Sequence, residues 1–257
     1  MSYQKVIESI YTELELFENT GKVASYIPEL SKVNPDKFAV YLTTIDGEGS
    51  YIGDYDEKFS IQSIAKVLSL IVAYKAEGKN LWRRVGVEPS GTAFNSLVQL
   101  ESDFGVPRNP LINAGAIVIC DVLIDCYKNN YKEEFINFVR EISGNKNIDY
   151  SKKIAESEKS VGYRNFALAN YIKSFGNIKN DVDEVLDFYF HVCSVKMNCK
   201  ELSETFIFLA NHGKCIFNNQ QILTSSQTKR INAIMQLCGF YDEAGEFSYR
   251  VGLPGKS

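Results

Sequence analysis

Gln62-Ser63-Ile64-Ala65-Lys66-Val67-Leu68-Ser69-Leu70-Ile71-Val72 joins a Ser-x-x-Lys pair to an unusually apolar, helix-like run. A serine hydroxyl is a poor nucleophile until its proton is taken, and a lysine one helical turn away takes it only if the amine is held neutral. Ile61, Ile64, Val67, Leu68, Leu70, Ile71 and Val72 surround Lys66 with hydrocarbon. Burial lowers a lysine pKa by as much as ~3 to 5 units when it is complete. Lys66 is therefore a candidate base for Ser63 near neutral pH. The pair is short, and Ser143-x-x-Lys146 and Ser226-x-x-Lys229 match it too. Both of those lie in polar stretches, where the lysine stays hydrated and protonated. The residues alone leave two readings open for the first pair: a nucleophile with its base, or a structural lysine with a buried stem and a snorkelling amine.

Working outward, the chain closes on Lys256-Ser257, a second short element of a serine hydrolase signature that Lys159-Ser160 and Lys173-Ser174 repeat. A length of 257 residues holds one large or two small domains, and 45% hydrophobic against 23% charged residues supplies a substantial core. The net charge of -4 and pI near 5.4 give no basic stripe, which excludes nucleic acid as the expected partner. The N-terminus lacks the apolar centre of a signal peptide, and no window approaches about eighteen uninterrupted apolar residues. A soluble cytoplasmic protein with no membrane partner is expected. Cys120, Cys126, Cys193, Cys199, Cys215 and Cys238 fall mostly in apolar periodic segments and read as reduced core residues. With only His191 and His212 in the chain, neither a metal site nor a histidine base is expected.

Residues 3 to 19 have helical spacing, and Phe38 to Thr44, Asp46-Gly47 and a run through Ile52 read as a β-hairpin. Helical periodicity follows near 63 to 77, 113 to 128, 131 to 142, 151 to 158, 164 to 175, 181 to 195, 200 to 211 and 226 to 238. An extended pattern returns only near Ser248 to Leu253. A lone hairpin is marginal in water, so the early strands need later ones to finish a sheet. The expected class is α/β (α+β), one domain over 1-257, with the hairpin and a C-terminal strand flanking a large helical region. That plan is similar to the serine β-lactamases and penicillin-interacting enzymes, which pair Ser-x-x-Lys with a late Lys-Thr-Gly strand.

Longer stretches are more specific. In order come Gln62-Ser63-Ile64-Ala65-Lys66, Glu88-Pro89-Ser90-Gly91 with Phe94-Asn95, Asn109-Pro110-Leu111-Ile112-Asn113-Ala114-Gly115-Ala116-Ile117 and Arg164-Asn165. Tyr189-Phe190 with Cys193-Ser194, Cys238-Gly239-Phe240-Tyr241-Asp242 and Val251-Gly252-Leu253-Pro254-Gly255-Lys256-Ser257 follow. Over nearly its whole length the chain resembles the serine-dependent glutaminases. The resemblance implies a β-lactamase-like fold and hydrolysis of L-glutamine to L-glutamate and ammonia without a cofactor, in a homodimer or homotetramer. By the same resemblance Ser63 is the nucleophile, Lys66 its base, and Tyr241 the tyrosine that hydrogen-bonds the reacting centre and relays a proton. Tyr26, Asn113, Glu158, Asn165 and Tyr189 match substrate-pocket positions, which Ser63 and Tyr241 share.

These roles suit a zwitterionic substrate, which needs an anion such as Glu158 and neutral donors such as Asn113 and Asn165. Each residue also has an ordinary reading. Glu158 alone would be a solvated helix residue, Asn113 a helix N-cap, and the three tyrosines core aromatics. The resemblance further implies that the family continues past Lys256-Ser257 with a glycine-rich turn, a strand and a terminal helix. One oxyanion-hole N–H would lie there, with the Ser63 N–H as the other donor. Three readings stay open on this basis: an active amidohydrolase lacking its last segment here, a truncated homologue that binds substrate or a partner subunit without turnover, and a penicillin-interacting hydrolase.

Overall fold

A computed structural model describes residues 2–90 and 98–257, so Gly91, Phe94 and Asn95 of the quoted motifs lie outside the described residues. Two helices form the centre, α2 (Ala65–Glu77) and α4 (Asn113–Tyr127). Every residue of α2 from Ala65 to Tyr74 is buried, as is every residue of α4 from Ala114 to Ile124. A helix that is apolar all round must be covered on every side. Helices α5 (Tyr131–Ser143), α7 (Tyr163–Ser174) and α8 (Val182–Cys193) provide that cover, and α6 (Lys152–Ser160) lies on α8. Side chains such as Leu68, Leu70 and Ile71 are fully enclosed and each contributes about 1.5–3 kcal/mol by leaving water.

One charge is buried in this apolar centre with its partners. Asp121 on α4, 0% exposed, accepts from Arg84 Nη2 at 2.5 Å and from the backbone N–H groups of Lys179 and Asn180. These bonds fix α4 to the segment that leads into α8, and hence fix the direction in which the α4 N-terminus points. Gly115 sets the depth of that N-terminus, since a Cβ there would lie 1.9 Å from the Asn109 carbonyl oxygen.

The hairpin forms as read, with β1 (Ala39–Thr43) antiparallel to β2 (Gly49–Gly53) and Tyr41 opposite Tyr51. Gly47 in its turn has φ +83°, a conformation glycine adopts without steric cost. Helix α1 (Tyr3–Leu14) lies on β2, and its Gln4 side chain both donates to the Tyr51 carbonyl and accepts from the Tyr51 N–H, each at 3.0 Å. That amide occupies an otherwise free sheet edge.

A second pair, β3 (Phe59–Ser60) with β4 (Lys196–Met197), was too short to read from the sequence. It matters for position, because β3 leads directly into Ser63. The remaining helices are α3 (Val98–Ser102), α9 (Cys199–Phe206), α10 (Ser225–Cys238) and α11 (Ala244–Val251).

The strand expected over 248–253 is corrected by α11. Phe247, Tyr249 and Val251 alternate as in a strand, but Tyr249 is 91% exposed and, among the described residues, no strand pairs with them. The segment is helical instead, with Glu246 and Arg250 paired at i,i+4 and Gly252 ending the helix in the left-handed region. Among the described residues no C-terminal strand is present.

Candidate active site

Ser63 sits in a 3-10 turn, Gln62–Ile64, between β3 and α2. The turn opens on Gln62 with φ +43°, a left-handed conformation that costs a non-glycine residue about 1–2 kcal/mol. Tyr241 opens a second 3-10 turn, Tyr241–Glu243, with φ +57°. The nucleophilic serine and the relay tyrosine of the sequence reading are thus both set by a left-handed kink.

Lys66 lies one turn into the core from Ser63 and is 0% exposed. Its Nζ donates to Asn113 Oδ1 at 2.6 Å and stands 6.0 and 5.7 Å from the ring centroids of Tyr189 and Tyr241. Burial lowers its pKa to about 8, opposed by the nearby Cys193, Glu158 and Cys120. The snorkelling alternative fails, because the amine itself is enclosed. Neither competing pair has such surroundings, since Lys146 and Lys229 are exposed.

Asn113 is the first residue of α4 and not its N-cap, which is Ile112. The α4 N-terminus has no side-chain cap; Asn109 instead shapes the turn before it, its Oδ1 accepting from the N–H groups of Leu111 and Ile112. The Asn113 side chain is therefore free to reach Lys66 on one side and to donate from Nδ2 to Asn165 Oδ1, 3.0 Å away on α7, on the other.

Glu158 is 7% exposed, contrary to a solvated helix face, and burial raises its pKa to about 7 while Lys66 pulls it back. Its Oε2 is buried with no hydrogen-bond partner among the described residues. A buried oxygen of this kind is costly unless a cation meets it. Tyr189 is 2% exposed and lies one turn before Cys193 on α8. Tyr26 is 69% exposed, so it is no core aromatic.

The structure adds Lys256, which the sequence offered only as a motif marker. Its Nζ donates to the Tyr241 hydroxyl at 2.9 Å and to the Gly239 carbonyl at 3.2 Å, and lies 4.2 Å from the Tyr241 ring centroid. Burial lowers it to about 8, and the charge on Lys66 pushes the same way. Cys193 and Cys120 also approach Lys66, and nothing in their apolar sequence context singled them out. Among the described residues, no three His, Cys, Asp or Glu side chains gather as metal ligands.

Two lysines of low basicity, a serine in a kinked turn and an unpartnered buried carboxylate suit acyl transfer from a substrate carrying an ammonium. The comparisons agree. The sequence model of the family described as Glutaminase matches residues 21–257. A glutaminase of Saccharophagus degradans is 56% identical over 257 residues, 100% of this chain and 83% of that protein. The structure of a probable glutaminase, ybaS, aligns with a TM-score of 0.91 at 31% identity, covering 99% of this chain and 82% of that one. The probable glutaminase from Bacillus subtilis complexed with 6-diazo-5-oxo-L-norleucine aligns at 0.82 and 30% identity, over 92% of this chain and 72% of that one. With the family model covering all but the first twenty residues, and relatives matched along the full chain, this protein belongs to the glutaminase family, amidohydrolases of β-lactamase-like fold acting on glutamine.

Proposed function

We propose that Ser63 attacks the side-chain amide carbon of L-glutamine while Lys66 takes the hydroxyl proton. The new Oγ–C bond gives a tetrahedral oxyanion, for which the Ser63 N–H is one donor. Collapse breaks the C–N bond, and the departing nitrogen leaves as ammonia with the proton that Lys66 had taken, relayed through Tyr241. Water then attacks the glutamyl ester, gives a proton to Lys66, and Ser63 Oγ leaves and is reprotonated.

Glu158 carries this reading. Its buried oxygen, with no hydrogen-bond partner among the described residues, fits the α-ammonium of a free amino acid, and Asn113, Asn165, Tyr26 and Tyr189 supply hydrogen bonds for the remaining polar groups. The same reading takes residues 1-257 as a single catalytic domain that assembles in the cytoplasm as a homodimer or homotetramer, which light scattering checks. Among the described residues no helix is long and apolar enough to cross a membrane.

Labelling tests the nucleophile. Ser63→Ala should abolish both ammonia release and covalent modification by 6-diazo-5-oxo-L-norleucine, read by intact mass. Undiminished modification of that variant refutes the assignment. Lys66→Ala should still bind glutamine and acylate slowly; wild-type acylation would mean that another base operates.

A further inference from the structure

Residues 18–36 run as a mostly irregular strap from the end of α1 to the hairpin and carry Tyr26. Beneath the strap is a cavity of about 860 Å³, with Gly21, Val23, Leu30 and Val33 on the strap side and Phe59 and Gln62 on the floor. The strap is therefore poorly supported along much of its length. Ile27, 1% exposed, is its one fully buried apolar anchor.

Its polar anchorage is as concentrated. Among the described residues, apart from the Lys37 N–H that donates to the Asn34 carbonyl where the strap ends, every hydrogen bond or ion pair joining 18–36 to the rest of the protein comes from Glu29. The Glu29 N–H donates to Ser157 Oγ at 3.2 Å, and its carboxylate meets Lys153 Nζ at 2.9 Å and Lys32 within the strap. Those lysines hold the carboxyl below its usual range, Lys32 first. Lys153 and Ser157 are one turn apart on α6, and the next residue is Glu158.

Although the Tyr26 side chain as a whole is mostly exposed, its phenol, three residues before the clasp, is pushed up by burial and then by the Glu158 carboxylate, with Cys193 and Tyr241 next. One helix thus provides both the anion of the pocket and the clasp for the strap. We propose that Glu29 is a positioning residue which, through Ser157 and Lys153, fixes Tyr26 against α6 and so sets the affinity for L-glutamine. This rests on the reading of Tyr26 as a pocket residue. The clasp touches neither the substrate nor the reacting atoms, so it acts on binding and leaves the chemical step alone.

A double-mutant cycle on glutamine hydrolysis tests this. Glu29→Gln, which keeps size and removes charge, should raise KM about two- to fivefold with kcat unchanged, the range of a partly exposed ion pair. Ser157→Ala, loosening the other half of the clasp, should do the same. In a Tyr26→Ala background, whose own KM is raised, Glu29→Gln should add nothing. An unchanged KM in both clasp variants overturns the inference, as does a Glu29→Gln factor that persists undiminished without Tyr26. If Tyr26→Ala alters neither KM nor kcat, the pocket reading fails and the inference with it; a Tyr26 effect without a clasp effect removes the inference alone.

Discussion

Lys66 donates to Asn113 Oδ1 across 2.6 Å, a bond that the amine keeps whether or not it carries its third proton. The neutral amine still has two N–H groups, so Asn113 holds it in place while the lone pair stays free for the serine proton. With Lys66 at about 8, kcat should rise with pH and level off above about 8. Glu158, at about 7, loses its charge as pH falls below that value, so KM should climb on the acid side. Glu158→Gln should lower kcat/KM about 10- to 100-fold and abolish that acid limb. Steady-state kinetics across both pH ranges check this; a kcat flat through pH 8 would remove Lys66 as the base.

The same burial has a cost in stability. An unfolded lysine titrates near 10.5 and this one near 8, so between those values the unfolded chain binds more protons and stability rises with pH. Below about 8 the folded protein carries the full cost of an enclosed ammonium, on the order of 3 kcal/mol. Lys66→Met fills similar space without the charge and should be inactive yet more stable at pH 7 by about 1–3 kcal/mol. Urea unfolding at pH 7 and again above pH 10 should show the advantage shrinking. A less stable Met variant at pH 7 contradicts the argument.

Gly239 lets the chain end pass close to α10. A Cβ there would lie 1.8 Å from the Gly255 carbonyl oxygen and 2.6 Å from that of Met235, which forces 255–257 outward. Lys256 would then leave the Tyr241 hydroxyl. Gly239→Ala should cut kcat/KM at least about tenfold while lowering stability by about 1–3 kcal/mol. Gly245→Ala is the control, because nothing lies within 4 Å of the added carbon. Equal kinetics in the two variants would mean that Lys256 is a bystander.

Local chemistry was the most legible part of the sequence. Ser63 and Lys66 share one helical turn, and the greasy residues that enclose the amine are its own neighbours in the chain, so composition foretold the burial. Glu158 carried no such sign, since its cover comes from α6 lying on α8, a contact remote in sequence. Asn113 was ambiguous until its side chain was seen to bridge Lys66 and Asn165. The strand expected over 248–253 failed because alternation is shared by strands and by a short exposed helix, and the Glu246–Arg250 pair was the discriminating signal. The β3–β4 pair, two residues each, falls below any periodicity.

The amine at position 66 owes its weak basicity to the same hydrocarbon that closes the interior around α2 and α4. Packing and acid–base behaviour are consequently a single trait in this enzyme. Drift that let solvent reach the amine would raise its pKa toward the ordinary lysine value and slow turnover in a chain that still folds. Substitutions that open these two helices to water should therefore cost turnover before they cost the fold.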